Sequence, residues 1–383
     1  MSTATDLSAK IQRFTTFLQA DPDNSSLLLD LGDLQHQAGQ FDAALISYGR
    51  AASLLPDAAV VKSRIGAVHL SQHRFAEAAA LFESLLAQGG PSPALQHNLG
   101  IALFYQDRFE EAAQQFSAAA AGGLEAPANA RYLANCLHHA GQMEEALQAA
   151  QQWHTQAASP DSQAYLSLLY LDQGDREQAR ANAEAALAAQ PDSVDANAVR
   201  GSLALEDQDI ATARASFDTV LAQRPDNGRA WLGKGLSQLY TEEQDDALAS
   251  LAKAEACMPE HAGTIVALGW AQLTTGRHAE AEQTFRRAVE ADRGFAEAHG
   301  GLAAALVHLN RLDEARQTVT VANRLDPANF GAVYAKAALL KIDGHGQLAD
   351  RLISRALQQR PTADAPSLQE YLTTFVAQRA PKH

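Results

Sequence analysis

The sequence predicts an all-α protein, a solenoid of about ten helix–turn–helix repeats with a capping helix at each end. The first reason is a small residue that recurs with a 34-residue period. The second is an alanine that follows each small residue at a constant distance. The third is the absence of strand patterns, together with an aromatic content of only 6% among 383 residues. Such a chain is typical of stacked helical repeats and not of closed globular domains.

The period is kept through ten repeats. Its spacing is 34 residues, except for one 33-residue step between Ala134 and Ser167. The small residues are Gly32, Gly66, Gly100, Ala134, Ser167, Gly201, Gly235, Gly269, Ala303 and Ala337. The alanines, each twelve residues later, are Ala44, Ala78, Ala112, Ala146, Ala179, Ala213, Ala247, Ala281, Ala315 and Ala349. Two series with one period predict two helices per repeat, with the small residue facing the alanine so that the backbones lie close together.

The breaks between helices contain the residue types that turns require. The turn inside a repeat needs residues that tolerate the left-handed conformation. Those found there are Gly39, Asp107, Gly141, Gly174, Gly276, Asn310 and Gly344. Proline ends the second helix in six repeats, at Pro56, Pro191, Pro225, Pro259, Pro327 and Pro361. Repeats 3, 4 and 8 have Leu124, Ala158 and Arg293 there, so local irregularity is expected over residues 120–160.

These recurring residues resemble the tetratricopeptide repeat. Counted from the first residue of a repeat, that family has a large residue at place 4, Leu-Gly at places 7 and 8, Ala at place 20, an apolar residue at place 24, Ala at place 27 and Pro at place 32. The first repeat matches with Leu28, Leu31, Gly32, Ala44, Tyr48, Ala51 and Pro56, and the seventh with Trp231, Gly235, Ala247, Leu251, Ala254 and Pro259. The resemblance covers residues 25–363, in repeats that start near residues 25, 59, 93, 127, 160, 194, 228, 262, 296 and 330. It implies a right-handed superhelix whose first helices line a concave groove, and a non-catalytic scaffold that binds a partner's peptide segment there.

Capping helices are expected at both ends, because the outermost repeats would otherwise expose apolar faces. Residues 1–24 contain an apolar stripe of helical spacing, formed by Leu7, Ile11, Phe14 and Leu18. Residues 364–383 contain a second stripe, formed by Leu368, Tyr371, Leu372, Phe375 and Val376. The alternative for this second stripe is a docking helix for another copy of the chain or for a partner.

Charge and composition narrow the range of partners. The chain has 45 acidic and 30 basic residues, and its net charge of -15 disfavours nucleic acid because phosphates are bound mainly by Lys and Arg. No apolar run is long enough for a membrane span, and the first ten residues lack the pattern of a secretory signal. With only Cys136 and Cys257, no disulfide framework is expected, and we expect a reducing, cytoplasmic setting.

In the family that the sequence resembles, places 2, 5, 6, 9, 12 and 13 of the first helix commonly point into the groove. In repeats 2 to 4 these places form the first candidate binding site, consisting of Arg64, His97, Asn98, Tyr105, Arg131, Tyr132, Asn135, His138 and His139. Arg binds carboxylates through a planar fork and Asn pairs with peptide groups, so an acidic or extended segment is the expected ligand. The alternative is that these are ordinary solvated side chains.

Two special binding modes of the family are not expected. Arg131 and Asn135 begin the series with which some members clamp a C-terminal carboxylate, but Tyr165, Asp195 and Val199 break it. Only Asn98 fits the asparagine ladder of other members.

In later repeats the groove-facing places are apolar and form a second candidate site. The residues chosen from it are Leu236, Tyr240, Trp270 and Tyr334. Exposed apolar surface with aromatic anchors suits recognition of a helix or an extended peptide. The alternative is that a neighbouring repeat or closure of the superhelix buries them.

No motif indicates catalysis, a cofactor or a metal. His138 and His139 point about 100° apart on a helix, and no further ligand completes a zinc site. The expected function is therefore a protein-interaction scaffold or adaptor. The alternatives are a regulatory sensor whose superhelix changes shape, with hinges near Gly300 and in residues 120–160, or the recognition subunit of a multi-protein enzyme.

Overall fold

The computed structural model describes residues 2–55 and 59–358, which form 21 α-helices and contain no β-strand. The chain divides into two compact units, the N-terminal unit Met1–Pro191 and the C-terminal unit Asp192–His383. The helices of the N-terminal unit are α1 (Ser2–Ala20), α2 (Ser25–Gln37), α3 (Phe41–Leu54), α4 (Ala59–Ser71), α5 (Phe75–Gly89), α6 (Pro93–Phe104), α7 (Phe109–Ala121), α8 (Pro127–His139), α9 (Met143–Gln156), α10 (Pro160–Gln173) and α11 (Arg176–Ala189). Those of the C-terminal unit are α12 (Val194–Glu206), α13 (Ile210–Gln223), α14 (Gly228–Tyr240), α15 (Gln244–Cys257), α16 (Ala262–Thr274), α17 (His278–Ala291), α18 (Ala296–His308), α19 (Leu312–Leu325), α20 (Phe330–Ile342) and α21 (Gly346–Gln358).

Each repeat is a pair of consecutive helices that pack on each other, from α2–α3 to α20–α21. Helix α1 packs on α2, with Leu18 buried and with Ile11 and Phe14 half-buried against the core of the first repeat. The predicted all-α repeat architecture is thus confirmed. The C-terminal stripe of residues 368–376, the capping helix expected at 364–383, and the prolines Pro56 and Pro361 lie outside the described residues.

Side-chain caps begin several of the first helices. Asn24, Asn227 and Asn329 each accept a hydrogen bond from the backbone N–H three residues later, at 3.0, 2.9 and 2.8 Å. Ser159 begins α10 in a capping box with Ser162. These caps satisfy donors that a helix start leaves without a backbone partner, and so fix where each first helix begins.

The turn inside every repeat places its fifteenth residue in the left-handed region. Five of these residues are the predicted glycines Gly39, Gly141, Gly174, Gly276 and Gly344, with φ between 72° and 86°. The other five are His73, Asp107, Gln208, Glu242 and Asn310, with φ between 57° and 63°. The sequence pattern predicted Asp107 and Asn310 but missed the other three, because His, Gln and Glu are not typical of this conformation.

The close contact inside each repeat differs from the expected one. All ten alanines at place 20 are fully buried. However, the space left by the small residue at place 8 is filled by the side chain at place 24. A Cβ on Gly32 would lie 2.4 Å from the Tyr48 ring, and one on Gly66 would lie 2.6 Å from the Phe82 ring. The glycine therefore admits a ring between the two helices, and the prediction that it simply faces the alanine was wrong.

The sizes of the residues at places 8 and 24 compensate each other in eight of the ten repeats. Glycine at place 8 is paired with Tyr, Phe or Leu at place 24 in six repeats. The four repeats without this glycine have the pairs Ala134 and Ala150, Ser167 and Ala183, Ala303 and Val319, and Ala337 and Ile353. Val319 and Ile353 are smaller than the rings of other repeats and so leave room for the larger residue at place 8, whereas repeats 4 and 5 have small residues at both places.

Residues 120–160 contain two intact helices, α8 and α9. The irregularity expected there is confined to the connections 122–126 and 157–159, which have five and three residues. Gly122, Gly123, Ser159 and Pro160 supply these breaks in place of the missing prolines.

Candidate functional site

The first helices of repeats 2 to 4 form a surface strip without carboxylates. Helices α4, α6 and α8 pack in that order and contain no Asp or Glu. The second helices α5, α7 and α9 each carry two Glu. In a chain with a net charge of -15 this is a marked segregation of charge. The strip, here called the basic strip, therefore offers a negatively charged ligand little repulsion from its own three helices.

Arg64, on α4, forms an ion pair with a residue of the neighbouring repeat. Its Nε donates to Asp33 of α2 at 2.9 Å, and the Tyr48 hydroxyl donates to the same carboxylate at 2.6 Å. Burial, followed by the hydrogen bond to Asp33, raises the pKa of Tyr48 well above its usual value. The charge of Arg64 is thus balanced inside the protein, and the residue links repeats 1 and 2.

His97, on α6, also joins two repeats. Its Nδ1 lies 2.9 Å from Oδ1 of Asn129, and Nδ2 of Asn129 donates to the Phe116 carbonyl at 2.9 Å. Asn129 is buried and was not predicted from the sequence. The sequence did contain a sign of its role, because Asn129 is a polar residue at place 3, where the other repeats have mostly apolar or small residues. The orientation of this amide makes His97 the donor, so its Nδ1 is used within the protein.

Tyr132, on α8, packs on the core with one face. Its ring stacks on Phe116 at 5.4 Å with an interplanar angle of 7°. Burial raises the pKa of its hydroxyl, as does a hydrogen bond with the hydroxyl of Tyr105. Tyr132 occupies place 6 of its repeat, as do Arg64 and Asn98 in theirs. At this place both Tyr132 and Arg64 contact the preceding repeat, so place 6 is not only a groove position. Asn98 itself is half-buried.

Tyr105, Arg131 and His139 are the exposed residues of the first candidate site. Tyr105 stacks on Phe75 at 4.7 Å, yet 51% of its surface remains exposed. The guanidinium of Arg131 lies 5.1 Å from the centroid of Tyr132 and is exposed. Among the described residues no Asp or Glu pairs with it. A guanidinium beside a ring keeps its charge and can still bind an anion.

The remaining polar residues of α8 are largely satisfied within the protein. Nδ2 of Asn135 donates to the Arg131 carbonyl at 2.8 Å. Nε2 of His138 lies 2.9 Å from Asp172. His139 stacks on Phe109 at 4.3 Å, and burial, followed by the neighbouring His138, lowers its pKa.

Stacked rings recur between successive repeats. The ring at place 17 of one repeat meets the ring at place 13 of the next in Phe75–Tyr105 and in Phe109–His139. The pair His278–His308 repeats this relation in the C-terminal unit at 4.5 Å. The sequence signal was an aromatic or His residue at both places, thirty residues apart. Place 13 is thus a link between repeats as well as a surface position.

In the C-terminal unit, Trp270 is half-buried and its indole N–H donates to Glu297 at 3.0 Å. Asn329 donates to the other carboxylate oxygen of Glu297. Burial raises the pKa of Glu297, while the hydrogen bonds from Trp270 and Asn329 oppose that shift. Phe330, which is 49% exposed, lies 6.1 Å from the Trp270 ring. Sequence reasoning missed Glu297, whose signal was a lone acid in an Ala-rich first helix.

Helices α18 and α20 pack backbone against backbone. A Cβ on Gly331 would lie 2.6 Å from the carbonyl carbon of Gly300. Residues 300–306 of α18 are all buried, so α18 offers little of its surface to a partner. Leu236, Tyr240 and Tyr334 are half-buried, and the Tyr334 hydroxyl lies 2.8 Å from Nε2 of His308. The apolar candidate site is thus largely covered by neighbouring repeats.

Comparison with known proteins agrees with this geometry. A family model described as a tetratricopeptide repeat matches residues 11–59, 97–162, 166–213 and 199–262, which is more than half of the chain. A second model of the same description matches residues 276–340. The chain belongs to the tetratricopeptide repeat family. No curated protein is significantly similar to it in sequence.

Several solved structures share this fold. The Cut9–Hcn1 hetero-tetramer of the APC/C aligns with a TM-score of 0.55 and 15% identity, over 72% of this chain and 55% of that one. A tetratricopeptide repeat protein from Parabacteroides merdae aligns with a TM-score of 0.52 and 15% identity, over 65% and 98% of the two chains. The human IFIT1 dimer with m7Gppp-AAAA aligns with a TM-score of 0.50 and 15% identity, over 93% and 94%. This chain spans about half of the aligned Cut9–Hcn1 chain, and such identities show the fold alone.

Tetratricopeptide repeats generally mediate contacts between proteins and are generally not catalytic. In residues 2–55 and 59–358, no three His, Cys, Asp or Glu side chains are placed to hold a metal ion. In the same part of the chain, no helix combines the length and the apolar character needed to cross a membrane.

Proposed function

We propose that the protein is a non-catalytic scaffold or adaptor that binds an acidic peptide segment of a partner protein on the basic strip. The observation that carries the proposal is Arg131, an exposed cation without a carboxylate partner among the described residues, on a strip of three helices that lack Asp and Glu. An Arg in this setting binds a carboxylate through two parallel N–H donors.

The surroundings of Arg131 support a peptide as the ligand. The exposed ring of Tyr105 offers an apolar anchor. Aromatic and Arg side chains carry most of the binding energy in many interfaces. Asn98, Asn135 and His139 are the other polar residues of the proposed site, while Arg64, His97 and Tyr132 hold the strip in place through their contacts with other repeats.

A second contact region is proposed on the C-terminal unit. Its members are the half-buried apolar residues Leu236, Tyr240, Trp270 and Tyr334. Trp270 uses its N–H on Glu297, so it would contribute its ring alone. This region is the weaker candidate, because neighbouring repeats cover much of it.

The decisive experiment compares charge-reversal variants in binding to two labelled peptide pools. One pool is rich in Asp and Glu, and the matched pool carries Asn and Gln instead. We expect Arg131→Glu to weaken binding of the acidic pool at least about tenfold, a loss of about 1.4 kcal/mol, measured by fluorescence anisotropy. Arg13→Glu is the control, since Arg13 also lies over a ring, that of Phe14 at 5.8 Å, but on α1. Equal binding of both pools, or equal effects of the two variants, contradicts the proposal.

We also propose a cytoplasmic location, based on the state of the two cysteines. Cys136 is buried and Cys257 exposed, and both are free thiols. Burial raises the pKa of the Cys136 thiol to about 12, which makes it unreactive. An exposed free thiol is typical of a reducing, cytoplasmic setting.

The regulatory sensor receives no specific support. The glycines near Gly300 pack tightly against α20, and residues 120–160 contain intact helices.

A further inference from the structure

Three side chains of the basic strip meet at one hydroxyl group. The Tyr132 hydroxyl is hydrogen-bonded to the Tyr105 hydroxyl and to the guanidinium of Arg131. That guanidinium lies 5.1 Å from the centroid of the Tyr132 ring, and Phe104 contacts both tyrosine rings edge to face at 5.3 Å. Side chains of two successive repeats thus form one hydrogen-bonded cluster of Tyr105, Arg131 and Tyr132, here called the phenol cluster.

The phenol cluster has more donors than acceptors. An arginine side chain only donates, so the Tyr132 oxygen accepts from Arg131. Each tyrosine hydroxyl carries a single O–H, and the bond between the two hydroxyls uses only one of them. Among the described residues, no Asp or Glu pairs with any member of the cluster. One O–H and the outer N–H groups of Arg131 are therefore available to a ligand.

The direction of the hydrogen bonds places the unused O–H on Tyr105. Burial, and after it the bond with Tyr105, raises the pKa of Tyr132, whereas the bond from Arg131 lowers it. A hydrogen bond raises the pKa of the hydroxyl that donates it, because deprotonation breaks the bond, and lowers the pKa of the hydroxyl that accepts it. Tyr132 therefore donates to Tyr105, and the free O–H belongs to a side chain with half of its surface exposed.

The surroundings of these donors favour an anion. Helices α4, α6 and α8 contain no Asp or Glu. The nearest acid to Tyr105 along the chain is Asp107, in the turn after α6, and its carboxylate interacts with His139. Stacking on Phe75 and Phe116 holds the two tyrosine rings. The donors are thus in position before a ligand arrives, which lowers the entropic cost of binding.

The number of acceptor oxygens distinguishes the possible ligands. A carboxylate meets a guanidinium with both of its oxygens, so a further donor must share an oxygen that is already used. A phosphate monoester has three terminal oxygens and a charge of about -1.5 to -2. A phosphodiester of nucleic acid has fewer free oxygens and a single charge, and the net charge of -15 on the chain opposes a polyanion. A phosphate monoester therefore matches the free donors best.

We propose, resting on the proposed function, that the acidic group bound by the basic strip is a phosphate monoester on a side chain of the partner protein. The outer N–H groups of Arg131 bind two of the phosphate oxygens, and the O–H of Tyr105 donates to the third. Tyr132 positions these two donors. The partner is then phosphorylated before it binds, so the reaction that supplies the ligand is phosphoryl transfer to a hydroxyl group.

Fluorescence anisotropy on the full chain tests this proposal with peptide pools of otherwise random sequence. Two pools carry a central phosphoserine or a central phosphotyrosine, and the matched pool carries two adjacent Glu, which supply a similar charge. We expect a phosphorylated pool to bind at least about tenfold more tightly than the Glu pool.

The variant Tyr105→Phe removes the free O–H and keeps the stacked ring. It should weaken binding of that phosphorylated pool at least about fivefold and change binding of the Glu pool less than about twofold. The matched control is Tyr170→Phe, because the Tyr170 hydroxyl accepts a hydrogen bond from Gln151 at 3.1 Å and lies on α10, outside the basic strip. This control should leave the binding of every pool unchanged.

The outcomes separate the two proposals. Equal binding of the phosphorylated and Glu pools overturns the phosphate proposal and leaves an acidic peptide as the ligand of Arg131. Equal weakening of these pools by Tyr105→Phe, or an equal effect of Tyr170→Phe, overturns it as well. Tighter binding of a single-stranded oligonucleotide, with the same dependence on Tyr105, assigns the site to nucleic acid instead. Binding of no pool contradicts both proposals.

Discussion

At the scale of single residues, the turn inside each repeat is under the same backbone constraint whatever residue occupies it. Gln208 adopts a φ of 61° in its turn, and its Oε1 is buried without a hydrogen-bond partner. An L-residue in this conformation costs about 1–2 kcal/mol relative to a right-handed one, whereas glycine adopts it freely. We therefore expect Gln208→Gly to raise the free energy of unfolding by about 1 kcal/mol, measured by chemical denaturation.

The control for this substitution is a glutamine in the body of a helix. Gln283 is exposed on α17, where glycine costs about 1 kcal/mol relative to good helix formers. Gln283→Gly should therefore destabilise while Gln208→Gly stabilises. Destabilisation by both would show that the left-handed strain at Gln208 is not relieved by glycine.

Glu297 gives a second prediction, concerning pH. Its pKa is raised in the folded state, mainly by burial and also by the nearby charge of Asp326. The folded protein thus holds this proton more tightly than the unfolded chain does. Its contribution to stability is therefore greatest at low pH and falls as pH rises from the ordinary carboxyl range through the raised pKa.

The test compares the unmodified protein with Glu297→Gln, which does not titrate. The difference in free energy of unfolding, unmodified minus variant, should fall as pH rises from about 4 to 7. Subtracting the variant removes the contributions of all other carboxylates. A difference that rises with pH would mean that the hydrogen bonds from Trp270 and Asn329 outweigh burial at this carboxylate.

At the scale of the helix pair, the fit between places 8 and 24 sets how closely two helices approach. A Cβ on Gly66 would lie 2.6 Å from the Phe82 ring, which is fully buried. We expect Gly66→Ala to destabilise by about 1–3 kcal/mol through overpacking. Phe82→Leu should destabilise through a cavity. In the double variant the smaller side chain makes room for the new methyl group.

A double-mutant cycle measures this compensation. The two single losses of unfolding free energy should exceed the loss in Gly66→Ala/Phe82→Leu by at least about 1 kcal/mol. Gly66→Ala combined with Phe217→Leu, a buried ring of the C-terminal unit, is the control and should be additive. Additivity in the first pair would mean that the backbone, and not the ring, absorbs the methyl group.

At the scale of the whole molecule, the periodic sequence predicted the order of the helices and seven of the ten turns inside the repeats, because each position recurs ten times. It did not predict which columns meet. Place 8 shares its space with place 24, four residues beyond the alanine, and the crossing of the two helices decides this. The same limit applies to Arg64 and His97, whose places suggested a groove but whose partners Asp33 and Asn129 come from other repeats.

The two units also differ in what links their successive repeats. In the N-terminal unit, stacked rings such as Phe109–His139 do so. In the C-terminal unit, ion pairs between repeats are prominent. They are Arg214–Glu243, Arg277–Asp245, Arg287–Glu255, Arg311–Glu282 and Arg316–Asp343. Exposed ion pairs weaken in salt, whereas ring stacking does not depend on charge.

This difference predicts an uneven response to salt. Raising NaCl from about 0.05 to about 1 M shortens the screening length to about 3 Å, so the ion pairs of the C-terminal unit lose most of their attraction. Hydrogen exchange should then quicken more in α14–α20 than in α6–α9. Sodium sulfate serves as the control, because it screens charge while strengthening apolar burial, and it should narrow the contrast. Arg214→Gln and Arg316→Gln together should make the C-terminal unit less sensitive to NaCl. Equal quickening in both units would mean that the ion pairs add nothing to the coupling of these repeats and that apolar packing alone holds them together.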